Sequence, residues 1–215
     1  MRLPWRIAVK NGYIEEDPFK EFPIKETYGN QFYLKDYELN SLIELYREGN
    51  MDSERYKTLQ LFFFMCFGSQ HIGDAKRMTI EQVGDRNFTY IRQKTETRKP
   101  KIVTVPISDS FRKILYDIVG NRKKGPVFEN LPSEQKMNEW LKKLAAQANI
   151  NEKVANGISH KAGRHTFATY FLSKTKDLNA LKEILGHSNI RETLIYAHVL
   201  DSDKQEGIKC FNDFM

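Results

Sequence analysis

Three residues near the end of the chain could together act on a phosphodiester: Arg164, His187 and Tyr196. An arginine carries a permanent charge and a planar fork of donors that can hold two phosphate oxygens. A histidine can donate to a third oxygen, and a tyrosine hydroxyl can form a covalent phosphoester. Each residue alone is more often a surface charge or a semi-buried side chain. Their order, with Tyr196 nine residues after His187, indicates a phosphoryl-transfer site.

Two predicted helices would position these side chains. Arg164 lies in R-H-T-F-A-T, which opens a helix with apolar residues at helical spacing. The apolar side of that helix is formed by Phe167, Ala168, Phe171 and Leu172. A second helix begins at the N-cap Asp177 and stops at Gly186. His187 is therefore predicted to lie directly at a helix end.

The rest of the chain predicts a mainly α fold with a small antiparallel β-sheet, of the α+β class. An amphipathic helix is predicted over 34–48, and a second helix, predicted to be capped by Ser53, is apolar on nearly every side, as expected of a central buried helix. Residues 87–107 alternate and contain β-branched residues, which predicts a hairpin. Two further helices are predicted to be capped by Ser110 and Ser133.

The composition of the chain favours a polyanionic partner and a location inside the cell. The 215 residues carry a formal charge of +6, and 40% of them are hydrophobic, enough for one core. Cys66 and Cys210 fit no metal spacing, and the apolar run 59–67 is too short to span a bilayer. No signal peptide is visible, so we expect a cytoplasmic protein without a membrane partner. A zinc site built from His160, His165, His187 and His198 is a remote alternative, because their spacings fit no common site.

The stretch around Arg164 resembles the end of the catalytic domain of the tyrosine recombinase, or phage integrase, family. That family carries H-x-x-R-H-x-F-A-T, then L-G-H, then a nucleophilic tyrosine nine residues after the histidine. Here R-H-T-F-A-T, L-G-H-S and the spacing from His187 to Tyr196 all match. One position departs from the pattern: Lys161 stands where the family usually has the first histidine. His160 is adjacent but out of register, about 100° away on a helix.

A second departure follows the predicted central helix, where the family has T-G-x-R-x-S-D/E and its first catalytic arginine. Alignment on Asp74 places His71 at the arginine position, and Gln70 takes that place if the register slips by one. Arg77 is six residues past His71 and is predicted to point elsewhere. A protonated His71 could replace the arginine, or this part of the site has decayed. Both interpretations stay open.

The predicted hairpin matches the family at a third place. The family keeps a catalytic lysine there, often within K-T, and Lys94 precedes Thr95. The segment from Arg86 to Lys101 holds six basic residues and one acid, Glu96. The predicted DNA-binding residues are Lys94, Arg98, Lys99 and Lys101. A solvated polar turn is the alternative.

The resemblance implies a site-specific DNA recombinase or integrase that cleaves and rejoins strands through a 3′-phosphotyrosyl intermediate. The implied catalytic residues are Tyr196, Arg164, His187, Lys94, Lys161 and His71. Tyr196 would be the nucleophile, Lys94 the general acid and Asp74 a structural residue near the site. No metal or other cofactor is implied, and the partners would be double-stranded DNA and further copies of the chain in a tetrameric synapse. A catalytically impaired relic that only binds DNA is the alternative.

The resemblance also divides the chain in two. Residues 1–30 resemble the tail of an N-terminal core-binding domain followed by a linker, with Pro18 and Pro23 in an extended segment. Residues 31–215 would form the tyrosine recombinase catalytic domain.

Overall fold

The computed structural model of the chain describes residues 3–16, 18, 31–93 and 100–200, apart from the side chains at positions 3, 4, 6 and 198–200. The α-helices in this part are α1 (Leu3–Lys10), α2 (Asp36–Glu48), α3 (Ser53–Gly68), α4 (Ile72–Arg77), α5 (Asp109–Val119), α6 (Glu134–Gln147), α7 (Glu152–Gly157), α8 (Lys161–Thr175) and α9 (Leu178–Ile184). The strands are β1 (Asn87–Ile91) and β2 (Ile102–Pro106), and 3₁₀ helices cover Ile80–Gln82, Ile190–Glu192 and Leu194–Leu200. Among the helices of these ranges, none is long and apolar enough to cross a bilayer.

The two strands form an antiparallel pair, which confirms the predicted α+β class and the predicted hairpin strands. Asn87 lies opposite Pro106, and Ile91 lies opposite Ile102. Alternate side chains of both strands are buried, as a sheet with one covered face requires. The core side of the pair carries Phe88, Tyr90, Val103 and Val105.

Helix α3 is the central buried helix that its apolar sequence predicted. It packs against α5, α6 and, most extensively, α8. Gly163 allows α8 to approach closely, because a Cβ atom there would lie 3.1 Å from the Phe62 carbonyl oxygen and 3.1 Å from Met65 Cβ. Cys66 is a buried free thiol in the same core. The close contact brings the start of α8 beside the end of α3.

The caps of two helices differ from the predicted ones. The N-cap of α3 is Asp52, whose carboxylate accepts from the Arg55 amide at 2.9 Å, so Ser53 is the first helical residue. The N-cap of α5 is Ser108, which accepts from the Phe111 amide at 3.1 Å. Ser110 was the wrong prediction, because it already lies in the first turn, where the backbone is helical. An N-cap needs an extended backbone, and Ser108 has it (φ −80°, ψ 161°).

The end of α9 is positioned by α8 and by the hairpin. Asp177 caps the start of α9 as predicted, accepting from the Ala180 amide at 2.8 Å. Gly186 then takes the left-handed conformation (φ +66°), and a Cβ atom there would lie 2.5 Å from Val103 Cγ2 on β2. Glycine is required at this turn for both reasons. The turn places His187 between α8 and the hairpin.

Candidate active site

Arg164 connects the ends of two helices at the centre of the site. Its guanidinium donates to the Ser69 carbonyl after α3 and to the Leu185 carbonyl after α9, each at 2.7 Å. The same nitrogen that bonds Leu185 lies 3.1 Å from Nε2 of His187. The side chain is only 4% exposed. Arg164 and His187, predicted from sequence to act together, are in direct contact.

His187 is neutral in this arrangement. A guanidinium can only donate, so Nε2 of His187 accepts from Arg164, and Nδ1 bonds the Thr193 hydroxyl at 2.8 Å. Burial, and then the charges of Arg164 and Arg92, lower the pKa of His187 to about 3. The Thr193 hydroxyl can also donate, which would leave the ring proton on Nε2. Thr193 thus supports either tautomer.

Three consecutive carbonyl groups at the end of α9 each accept from a different cation. Arg164 bonds the carbonyl of residue 185, Arg92 bonds that of Gly186 at 2.8 Å, and Lys101 bonds that of His187 at 2.6 Å. The C-terminal end of a helix carries partial negative charge, which favours this gathering of cations. Among the described residues, the cluster of Arg164, Arg92 and Lys101, called the cation cluster below, surrounds His187.

Arg92 is the residue that sequence reasoning missed, since it was counted only as one of six basic residues of the hairpin. A signal was present. Phe88 and Tyr90 point inward on β1, and strand alternation carries residue 92 to the same side. Arg92 is 4% exposed, as recessed as Arg164. A basic residue that continues the alternation of buried strand positions is therefore predicted to face inward.

The segment after α3 contains no arginine at the predicted position. Gln70 is fully buried, and neither atom of its side-chain amide has a hydrogen-bond partner in the described part of the chain. His71 is exposed at the start of α4, and its Nε2 lies 3.2 Å from Nη2 of Arg92. Because the guanidinium is the donor, this contact requires an unprotonated ring nitrogen.

Asp74 lies at the first turn of α4 and accepts from the Gln93 amide at 2.8 Å. It is 6% exposed, and burial raises the pKa of its carboxyl group despite the hydrogen bond and the nearby arginines. The contact ties α4 to the end of β1, directly beside Arg92.

Lys161 is the exposed first residue of α8 and lines a cavity of about 280 Å³ together with His71, Arg164 and His165. The neighbouring His160 lines the same cavity, and its ring and its amide both bond the side chain of Asn138. The cavity therefore has cationic groups from α8 on its wall.

Tyr196 is buried in an apolar cluster, and its hydroxyl bonds Nδ1 of His165 at 2.7 Å. The cluster consists of Ala168, Leu172, Leu181, Leu185 and Tyr196. Burial raises the pKa of Tyr196 to about 12 and lowers that of His165 to about 4. The hydroxyl is therefore protonated and donates to a neutral imidazole. No local pattern could have predicted this pair, since 31 positions separate the two residues.

Part of the predicted site falls outside the described residues. Lys94, Arg98 and Lys99 lie there, so of the predicted DNA-binding residues only Lys101 is placed. Within the described ranges, no three His, Cys, Asp or Glu side chains lie close enough to share a metal ion.

Residues 33–203 match the sequence model of the phage integrase family. The chain belongs to this family. Its relatives include the integrase of Haemophilus phage HP1, 31% identical over 159 residues, and that of Escherichia phage P2, 30% identical over 136 residues. These matches cover 74% and 63% of the chain, but only 42% and 36% of the two relatives. This integrase-family chain thus spans less than half the length of the curated relatives it matches.

Solved structures of integrases share the fold. The catalytic domain of bacteriophage HP1 integrase superposes with a TM-score of 0.57 at 23% identity, over 82% of this chain and 93% of that domain. The Tn1549 transposon integrase in complex with transposon right-end DNA gives a TM-score of 0.70 at 16% identity, over 97% and 75%. XerH recombinase bound to its difH substrate gives 0.63 at 17% identity, over 88% and 56%. The tyrosine recombinase catalytic-domain fold, expected from the sequence motifs, is confirmed.

Proposed function

We propose that this integrase-family chain is the catalytic part of a site-specific DNA recombinase that cleaves and rejoins strands through a 3′-phosphotyrosyl intermediate. The observation that carries the proposal is the buried contact between Arg164 and His187, 3.1 Å apart, beside a tyrosine whose hydroxyl is already bonded to an imidazole. The cation cluster supports an anionic substrate, because it brings three cationic side chains to the turn that holds His187.

The nucleophile is Tyr196. Its oxygen forms a bond to the scissile phosphorus, and the bond from phosphorus to the 5′ oxygen breaks. The phenolic proton passes to Nδ1 of His165, which lies 2.7 Å away and is neutral above about pH 4. The departing 5′ oxygen takes a proton from a general acid, the role we assign to Lys94. Attack by a 5′ hydroxyl on the phosphotyrosine reverses each of these transfers, so the bond energy is retained and no co-reactant is consumed.

The five-coordinate phosphate of the transition state is stabilised by residues of α8 and of the end of α9. Arg164 exchanges some of its present hydrogen bonds, to carbonyl groups and to His187, for hydrogen bonds to the phosphate oxygens. His187 then adopts the tautomer with a proton on Nε2, supported by Thr193, and donates to a third oxygen. Lys161, on the wall of the same cavity, adds positive charge where the family usually has histidine. Asp74 acts structurally through its bond to the Gln93 amide.

The same proposal covers partners and organisation. Double-stranded DNA would be contacted by Lys94, Arg98, Lys99 and Lys101, and four copies would assemble a synapse inside the cell. Residues 1–30 would be the end of a DNA-clamping domain, and residues 31–215 the catalytic domain. DNA in the solved structures of the Tn1549 integrase and XerH supports the choice of partner.

A test that needs no known target site uses a pool of nicked duplexes with a randomised central sequence. Cleavage near the nick releases a short 5′-hydroxyl strand, so the covalent product accumulates and can be captured after denaturation. We expect the 215-residue chain to select a defined sequence and to carry the nucleotide on Tyr196, as read by peptide mass spectrometry. Tyr196→Phe removes only the hydroxyl and should abolish the product while duplex binding is retained.

Absence of covalent product from the wild-type chain, with duplex binding retained, would instead support the DNA-binding relic. Product that persists in Tyr196→Phe would place the nucleophile elsewhere.

A further inference from the structure

The segment between α3 and α4, residues 69–71, cannot itself supply a permanent positive charge to the phosphate. Its two candidate residues are Gln70, whose amide is neutral, and His71, whose ring nitrogen accepts from a guanidinium at 3.2 Å. A protonated His71 would repel that guanidinium and lose the contact. The charge that the site needs at this place must come from another element.

Arg92 brings a guanidinium to this place from the end of β1. Its Nη2 lies 3.2 Å from His71, and its Nη1 donates to the Gly186 carbonyl at 2.8 Å. Arg164 bonds the preceding carbonyl, that of Leu185, at 2.7 Å. The two guanidiniums thus approach the turn before His187 from different elements, α8 and β1.

Both guanidiniums are recessed, and carboxylates of the described residues stand near this turn. Glu192 lies 3.9 Å from Nη1 of Arg92, Asp74 lies near both arginines, and Glu183 lies near Lys101. Arg92 and Arg164 are each only 4% exposed. Two guanidiniums held at one turn, near a candidate phosphodiester nucleophile, present the forked donors that bind phosphate oxygens.

We propose that Arg92 is a catalytic residue, which supplies the second guanidinium that binds a non-bridging oxygen of the scissile phosphate. This inference rests on the recombinase function proposed above. Arg92 keeps its proton throughout and stabilises the charge of the phosphorane opposite Arg164. His71 is then a positioning residue, which accepts from Nη2 and directs the fork. The guanidinium that the α3–α4 segment lacks is delivered by the strand.

The experiment measures cleavage by the full chain on the duplex selected from the randomised pool. Arg92→Ala should lower the rate of covalent product formation about a hundredfold or more, with less than a threefold change in duplex binding. Arg86→Ala is the matched control, because Arg86 is an exposed arginine at the other end of the same hairpin segment. It removes the same charge and should leave the cleavage rate within about twofold, as is usual for surface changes.

A second substrate separates a chemical role from a structural one. Replacing one non-bridging oxygen of the scissile phosphate by a methyl group removes the negative charge that Arg92 would neutralise. On this methylphosphonate the loss caused by Arg92→Ala should shrink at least tenfold. A merely structural defect would slow both substrates equally, and that result would overturn the proposal.

Two further variants keep the test decisive if Arg92→Ala fails to fold. Arg92→Lys retains a charge but not the fork, and should cleave the phosphodiester roughly tenfold slower than wild type. On the methylphosphonate this loss of rate should again become smaller. In the double variant Arg92→Lys with His71→Arg, the new arginine side chain at position 71 places a guanidinium next to position 92. This variant should recover most of the cleavage rate. Wild-type rates for Arg92→Lys on both substrates would show that Arg92 is not catalytic while the recombinase function stands. No product from the wild-type chain would remove both proposals together.

Discussion

The site has two halves with opposite physical character. The half around the end of α9 is positively charged and hydrogen-bonded, with the cation cluster set on three successive carbonyl groups. The half around Tyr196 is apolar and neutral, with the tyrosine 1% exposed and its hydroxyl on His165. The charged half is arranged before any substrate arrives, whereas the nucleophile is held protonated. Under the proposed function, the comparison indicates that the groups that would bind the phosphate are already positioned, whereas the tyrosine must still lose its proton.

Disruption of the charged half should have the largest effect. Arg164→Lys keeps one charge but loses the fork that reaches Ser69, Leu185 and His187, so we expect cleavage to fall about a thousandfold, or about 4 kcal/mol. Binding to the selected duplex should change less than threefold, because the hairpin residues proposed to contact DNA are unchanged. Single-turnover rates measured beside Arg86→Lys give the comparison. A loss no greater than that of the control would mean that the charged half is not where catalysis occurs.

Disruption of the neutral half should cost less and should be repairable. His165→Ala removes the acceptor of the tyrosine proton, and the rate should fall about a hundredfold. Imidazole added to the buffer should recover part of it by entering the space left. In the wild type the rate should be flat from pH 8 to about 5 and should fall as His165 gains a proton near pH 4. A wild-type rate for His165→Ala would show that another group takes the proton.

The smallest expected effect is on stability in acid. The pKa values of His165 and His187 in the folded chain are about 4 and about 3, below the ordinary value. The unfolded chain therefore binds protons first as the pH falls through 6.5, and the folded state loses stability between pH 6.5 and 4. We expect the free energy of unfolding to drop by about 1 kcal/mol from pH 7 to pH 6, with roughly equal shares from the two histidines, measured by urea denaturation.

His165→Phe supplies the control for this acid effect, because it keeps the ring volume but cannot titrate. Its stability should fall by about half as much over the same pH range. Equal slopes for the two proteins would show that His165 is not held neutral by the fold.

Local sequence patterns were sufficient for most of the α-helices, for the two strands and for the family. Helix α9 begins at the predicted cap Asp177, and the buried character of α3 follows from apolar residues on all its sides. Arg164 and His187 were recognised because each lies within a few residues of its motif. The wrong cap at Ser110 shows the limit of this reading, since Ser108 and Ser110 are equally good cap residues and only the backbone conformation distinguishes them.

The sequence by itself determined the α+β fold, the family, and the presence of an arginine, a histidine and a tyrosine suited to phosphoryl transfer, because these depend on short-range periodicity and spacing. Only the tertiary structure decided how the charges meet. Arg92 reaches Gly186 across 94 positions, and Tyr196 reaches His165 across 31. Such contacts depend on how α8, α9 and the hairpin pack, and packing joins residues whose separation along the chain carries no periodic signal. For the same reason the sequence could align His71 with the family's arginine, but only the structure shows that Arg92 of the segment after β1 lies 3.2 Å from it.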